Sequence, residues 1–429
     1  MNNKNIHIFG GGTVAHIKNH FAVCAPAYGK TAEQLEQLCQ SRFDNANIHL
    51  ELTKMGGYGF FDTNGGQVPM ETNEDVSNRI EVLKKDKNTK IIFFNCALVD
   101  WEPKYLIQPR KSNIPEYYNF GKYTERLESK YDSIQIGFSP TKKIISDIRK
   151  GRKDIFLIGF KTTCGDTKQE MFKKGLRLCK ESSVNLVLVN DTKTRWNMII
   201  TPEEATYHET NNRYEALTNL VDMTYYRSQL TFTQSTVVDG KPVAWTDKRI
   251  PDSLRTVVNY CINKNAYKPF NNSTVGHFAV KLSDTEFLTS IRKSNLNDLD
   301  KNGMVYVKTN GPDTVLAYGA KPSVGGQSQR IVFKDHPGYD CIVHFHSPLK
   351  ENHPDNIPIR SQREIECGSH QCGKSTSDGL KEFDNKIKCV MLNKHGPNII
   401  FNKNINPQEV ISFIDSNFDL NQKTGGYNI

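Results

Sequence analysis

The chain has 429 residues, 37% of them hydrophobic and 24% charged, with a formal net charge of +9 and a mean hydropathy of −0.58. That length exceeds one ordinary core, so two domains are expected. No apolar run approaches the roughly 20 residues of a membrane span, and a net charge without a long Lys/Arg block or aromatic–basic interleaving argues against a nucleic-acid partner.

In chain order, residues 6–9 read as a strand ending in the glycines Gly10, Gly11 and Gly12. The strand begins almost at the N-terminus, so no signal peptide is expected. Residues 31–42 read as a helix with Leu35 and Leu38 on its apolar face and Thr31 as its N-cap. Buried strands are expected at 90–97, 154–160 and 184–189, with helices at 143–150 and 169–181 between them. Continuous apolar strands alternating with helices predict a doubly wound, mostly parallel, Rossmann-like sheet.

After Tyr225 the alternation stops. Asp239, Gly240 and Pro242 mark residues 229–250 as a hairpin-like connector, and the domains are expected over 1–235 and 250–429. The second opens on a helix at 252–263. Short strands are expected at 276–281, 303–308, 314–318, 329–333, 341–346 and 388–392, and a helix at 407–418. The Gly/Asn-rich tail from 421 to 429 reads as loose.

The most informative motif lies in the last hundred residues. Residues 341–346 read Cys-Ile-Val-His-Phe-His, and His395 ends another apolar run before Gly396. A strand puts residues i and i+2 on one face, so His344 and His346 point the same way. With His395 from a neighbouring strand end they give three imidazole ligands and one open position, the layout of a catalytic zinc site.

Other motifs carry less. Glycines after a first strand let backbone N–H groups approach an anion, but Gly10–Gly12 is not G-x-G-x-x-G. Residues 368–375, Gly-Ser-His-Gln-Cys-Gly-Lys-Ser, match the phosphate-loop pattern by letter. The stretch before them is polar and residues 376–381 make a weak helix start, so the pattern lacks its strand–loop–helix context. Cys367 and Cys372 flank His370 without the spacing of a zinc knuckle; His370 is a possible addition to the histidine trio. The ten scattered cysteines, with Cys96, Cys341 and Cys389 in apolar runs, suit reduced thiols in a cytoplasmic protein.

Residues 252–420 resemble the class II aldolase/adducin family. The stretch 273–281, the loop 287–293, the turn Lys321, Pro322, Ser323, the run 343–347 and residues 393–396 carry the likeness. The resemblance implies that His344, His346 and His395 bind Zn2+, that Arg292, Lys293 and Ser323 hold a substrate phosphate, and that the metal polarises a ketone while a C–C bond breaks. His277 stands where the family has Asn. The family's acid two residues after Pro-Ser is Gly325 here; Glu364 and Glu366 are the substitutes the sequence suggests.

Residues 4–228, with gaps, resemble phosphopantothenoylcysteine synthetase, the nucleotide-dependent ligase of coenzyme A biosynthesis. The likeness rests on Gly10–Gly12, on residues 14–20, on 95–101, on 158–163 and on 186–191. It implies binding of CTP or ATP with Mg2+ by Gly10, Gly11, Gly12, Asp100, Phe160 and Asn190, and catalytic roles for Asn19 and Lys111. Ala15 replaces the family's Arg.

Together these readings predict a cytoplasmic, bifunctional α/β fusion enzyme. A carboxylate–amine ligase half joins a zinc-dependent lyase half that acts on a phosphorylated carbonyl compound. The expected partners are small phosphorylated substrates and nucleotide, with no nucleic acid and no membrane. The two resemblances imply a homo-oligomer, dimer or tetramer. The alternative is an adducin-like binding or structural protein that kept both folds and lost one or both activities.

Overall fold

The computed structural model describes residues 4–57, 60–61, 67–107, 120–127, 129 and 133–429. Lys111 lies outside them. By contacts the chain divides into two units, and the division is not a single cut. The first takes Met1–Asp166, Lys174–Ile199 and Glu209–Tyr225; the second takes Tyr226–Ile429 together with Thr167–Lys173 and Ile200–His208.

A seven-stranded sheet frames the first unit. Its order is Thr206–Thr210, Asn197–Ile200, Leu186–Asp191, Phe156–Thr163, Thr89–Phe94, Lys4–Gly10, Ala46–Leu52. Lys4–Gly10 pairs in parallel with both of its neighbours, and Phe156–Thr163 does the same. Ile6, Ile8, Ile92, Leu157, Leu186 and Leu188 are all fully buried, as strands covered on both faces require. Helices at Lys30–Arg42 and Asn73–Lys85 lie between the strands in sequence. The first of these is preceded by Gly29 at φ 75°, not capped by Thr31. The second, absent from the elements expected above, carries a capping box from Thr72 and Asp75.

The second unit is built on a nine-stranded sheet. Its order is Gln234–Val238, Thr314–Tyr318, Met304–Thr309, Glu286–Ser290, His277–Lys281, Cys341–His344, Gly396–Phe401, Ile387–Leu392, Ile359–Arg360. The expected hairpin connector at 229–250 is instead an edge strand, Gln234–Val238, paired in parallel with Thr314–Tyr318. The expected strand at 329–333 is part of the helix Val324–Asp335. Its apolar run misleads because Val332 and Phe333 bury one face of a helix.

Side-chain alternation sends the sheet's residues into two cores. Val343 and Phe278 pack with Leu254, Val257, Val410 and Ile414, from the helices Asp252–Asn263 and Pro407–Asn417. Ile342 and Ala279 pack with Val332, Phe333 and Leu380, from Val324–Asp335 and His370–Glu382. His344 shares the parity of Ile342, and His277 that of Ala279, so both face the second layer. Among the described residues no helix is long and apolar enough to cross a membrane.

Candidate metal centre and the strand-end site of the first unit

His344 is the last residue of its strand, and His346 lies just beyond that strand's end. His395 sits in the turn joining Ile387–Leu392 to Gly396–Phe401. The strands Cys341–His344 and Gly396–Phe401 are antiparallel neighbours, with His344 opposite Asn398, so the pairing itself brings the three residues together. Gly396 is required for that approach: its φ is 148°, and a Cβ there would stand 2.0 Å from the carbonyl oxygen of Phe345.

The rings converge. Centroids are 5.0 Å apart for His344–His346, 4.7 Å for His344–His395 and 4.6 Å for His346–His395. One ligand atom from each lies within 4.8 Å of the others. The residues are 1%, 4% and 3% exposed. His277 stacks on His344 at 4.6 Å, and its Nδ1 lies 2.7 Å from the Gln329 side-chain amide.

The hydrogen bonds fix what the rings can offer. Nδ1 of His344 lies 2.7 Å from the carbonyl oxygen of Pro397. A carbonyl only accepts, so Nδ1 carries the proton and Nε2 keeps its lone pair. That Nε2 is buried with no hydrogen-bond partner among the described residues, and so is Nδ1 of His395. Burial, then the neighbouring imidazoles, hold His344 and His395 well below the ordinary histidine range. The same causes push His277 down to about 3. Neutral, dry imidazoles with inward lone pairs are the donor set that suits a divalent cation, and the residues present fit one.

Two features with no local cue in the sequence support this cluster. The tail is tied down, not loose: Thr424 donates from its N–H to the carbonyl of His346 at 3.1 Å and from its hydroxyl to the carbonyl of His395 at 2.9 Å. Tyr427 stacks on Phe172 at 5.0 Å. The carboxylate beside the trio is Glu204, whose Oε2 lies 3.1 Å from Nδ1 of His346. Of the expected substitutes, Glu364 pairs with Arg363 at 3.6 Å, and Glu366 acts on Arg227 electrostatically. The segment Pro-Glu-Glu at 202–204 gives no signal, because nothing local in sequence ties it to His346.

The remaining site residues divide between the two units. In the second, the turn bearing Arg292 and Lys293 is tied to Lys321 and Ser323: Arg292 N–H donates to the Lys321 carbonyl at 2.9 Å, and Ser323 N–H to the Ser290 carbonyl at 2.9 Å. His370 does not join the trio; its Nε2 meets Thr233 at 2.9 Å and Arg330 at 3.3 Å. The letter-perfect phosphate-loop match fails for a reason beyond its polar lead-in. Gly373, Lys374 and Ser375 lie inside the helix His370–Glu382, where Lys374 binds Asp378.

In the first unit, Gly10 and Asn190 lie at the carboxyl ends of parallel strands, the edge where such sheets bind ligands, whereas Phe160 lies in the middle of Phe156–Thr163, opposite Leu188. The three glycines are accounted for by protein packing. A Cβ at Gly10 would meet Ala32 at 2.4 Å, at Gly11 Thr53 at 2.2 Å, and at Gly12 the Ala25 carbonyl at 1.8 Å. Asn19 lies in the turn of the hairpin formed by Val14–Lys18 and Phe21–Cys24, where its amide donates to the Lys122 carbonyl at 2.8 Å. Asp100 is exposed and paired with Lys143 at 2.8 Å.

The second unit is thus an α/β domain with a buried histidine cluster at its strand ends. Residues 257–400 match the family described as Class II Aldolase and Adducin N-terminal domain. The chain is 22% identical over 194 residues to the coenzyme A biosynthesis bifunctional protein CoaBC of Thermococcus kodakarensis, a match that covers 45% of this chain and 42% of that protein. The chain therefore spans less than half of that relative's length. Among solved structures it is similar to the DNA/pantothenate metabolism flavoprotein from Streptococcus pneumoniae, at 17% identity, TM-score 0.43, 51% of this chain and 97% of the other. It is also similar to L-fuculose-1-phosphate aldolase from Thermus thermophilus, at 16% identity, TM-score 0.30, 40% of this chain and 89% of the other.

Proposed function

We propose that this chain is a bifunctional enzyme. Its second unit is a divalent-metal, zinc-type lyase acting on a small phosphorylated carbonyl compound. Its first unit is a carboxylate–amine ligase that uses CTP or ATP with Mg2+. The observation that carries the reading is the meeting of three buried imidazoles, two of which, His344 and His395, keep a buried ring nitrogen with no hydrogen-bond partner among the described residues. His344, His346 and His395 would hold the cation. When bound, it supplies Lewis acidity toward a carbonyl oxygen. The chain's own residues do the rest: the bond to Pro397 fixes the His344 tautomer, Thr424 holds the two ligand-bearing loops, and burial excludes water. Arg292, Lys293 and Ser323 are proposed to hold the substrate phosphate.

In the first unit, Gly10, Gly11, Gly12, Asp100, Phe160 and Asn190 are proposed to line the nucleotide, with Asn19 and Lys111 serving the ligation. Gly325 in place of an acid, and Ala15, favour the second reading, a protein that kept both folds for binding. Elemental analysis of the purified chain separates them for the second unit. About one divalent ion per chain is expected; none would leave that unit without its chemistry. For the first unit, thermal shift with CTP–Mg2+ and ATP–Mg2+ should show stabilisation by at least one nucleotide. Sedimentation should show a dimer or tetramer; a strict monomer would overturn the proposed assembly.

A further inference from the structure

The segment Ile200–His208 precedes the family-matched residues 257–400, yet it belongs to the second unit by contacts. It contains a tight turn. Thr201 N–H donates to the Ala205 carbonyl at 3.0 Å, closing the turn around Pro202, Glu203 and Glu204. Glu204 has φ 55°, a left-handed conformation that non-glycine residues hold only when their surroundings impose it. The surroundings do so here: the buried Lys423 ammonium donates to the Glu204 carbonyl at 2.6 Å.

The turn divides two adjacent carboxylates between separate tasks. Glu203 binds the buried Arg227 guanidinium at 3.2 Å and accepts from the Cys367 N–H at 2.8 Å. Glu204, equally buried, sets Oε2 3.1 Å from Nδ1 of His346. A buried carboxylate is costly unless it meets positive charge or donors. Against His346 it meets a buried ring nitrogen at ion-pair distance. That contact orients the ring and strengthens its other nitrogen as a ligand.

Building on the metal-centre reading, we propose that Glu204 is the positioning carboxylate of the centre, reaching His346 from a segment far from the histidines in sequence. It holds the His346 ring toward His344 and His395. The left-handed backbone is what aims it there.

The test uses the full chain and Zn2+ or Co2+ alone, with affinity measured by chelator competition. Glu204→Gln removes the charge at constant shape and should weaken binding roughly 10–100-fold, the usual loss for a ligand-orienting partner. Co2+ bound to this variant should show shifted visible bands. Glu204→Gly suits the left-handed backbone, so its metal-free thermal midpoint should be no lower than wild type while its metal affinity falls by the same factor. Glu204→Asp should fall between. Wild-type affinity and an unshifted Co2+ spectrum in the Gln and Gly variants would overturn the role of Glu204. A wild-type chain that binds no metal would overturn the metal centre itself.

Discussion

Both units bury histidines on apolar strands, and they treat them in opposite ways. In the first unit, His7 sits within Lys4–Gly10. Its Nδ1 lies 2.8 Å from Glu51 and its Nε2 3.3 Å from the Thr89 hydroxyl. Arg79 completes the pairing of Glu51 with bonds of 2.9 and 2.6 Å, and His49 stacks on His7 at 4.7 Å. Both ring nitrogens are occupied by protein. In the second unit, His344 and His395 each keep a buried nitrogen without a hydrogen-bond partner among the described residues, and their ligand atoms gather in one place. Burial alone does not make a histidine a ligand. A lone pair left unused in a dry place, beside others of its kind, does.

The sharpest way to break this comparison is to remove one histidine from each side. His344→Ala should abolish tight metal binding, read as metal per chain after dialysis. His7→Asn should leave the metal content at the wild-type value and lower stability by about 2 kcal/mol, because it strips a bond from a buried carboxylate. If both variants lose metal equally, or neither does, the two histidine environments are not functionally distinct.

The next effect belongs to Glu51. Burial alone would raise its carboxyl, but the bonds from His7 and Arg79 outweigh burial and hold it below the usual value. Glu51→Gln leaves the Arg79 guanidinium without its counter-charge and should cost about 3 kcal/mol in a urea titration at pH 7. The sign with pH is set by the direction of that shift. A carboxyl lowered in the folded state stabilises above its unfolded value near 4.5, and that contribution is lost as pH falls through the folded value. The gap between wild type and Glu51→Gln should therefore close below about pH 4.5. A constant gap down to about pH 3 would mean the carboxylate's charge is not what stabilises that cluster.

How much of the fold and the site is legible in the sequence depends on how local each signal is. His344 and His346 share a strand face at spacing two, and His395 precedes a glycine, so each carries its cue within a few residues. The alternation of buried strands and helices up to Asp191 is equally local. The strand Gln234–Val238 is hidden because its partner, Thr314–Tyr318, lies far along the chain. The helix Val324–Asp335 reads as a strand because Ile331, Val332 and Phe333 are consecutive and apolar, a pattern that fits either element until its neighbours are known. Glu204 is invisible for the strongest version of this reason: nothing near it in sequence points to the histidines, and only tertiary contacts carry it to His346.

The tail tests the same lesson at the smallest scale. Its Asn- and Gly-rich composition reads as a loose tail, yet Thr424 bridges the carbonyls of His346 and His395. Those two residues lie in loops beyond the paired strand ends, so the bridge ties the two ligand-bearing loops to each other. Thr424→Val keeps the shape and the N–H bond to His346, and removes only the hydroxyl bond to His395. It should cost about 1 kcal/mol in thermal or urea unfolding. Metal affinity should fall as well, by less than for Glu204→Gln, because the His395 ring keeps its turn while losing one restraint. A loss of stability with no change in affinity would make Thr424 a packing residue of the tail. A loss of affinity larger than that of Glu204→Gln would make the loop spacing, and not ring orientation, the feature that most limits the centre.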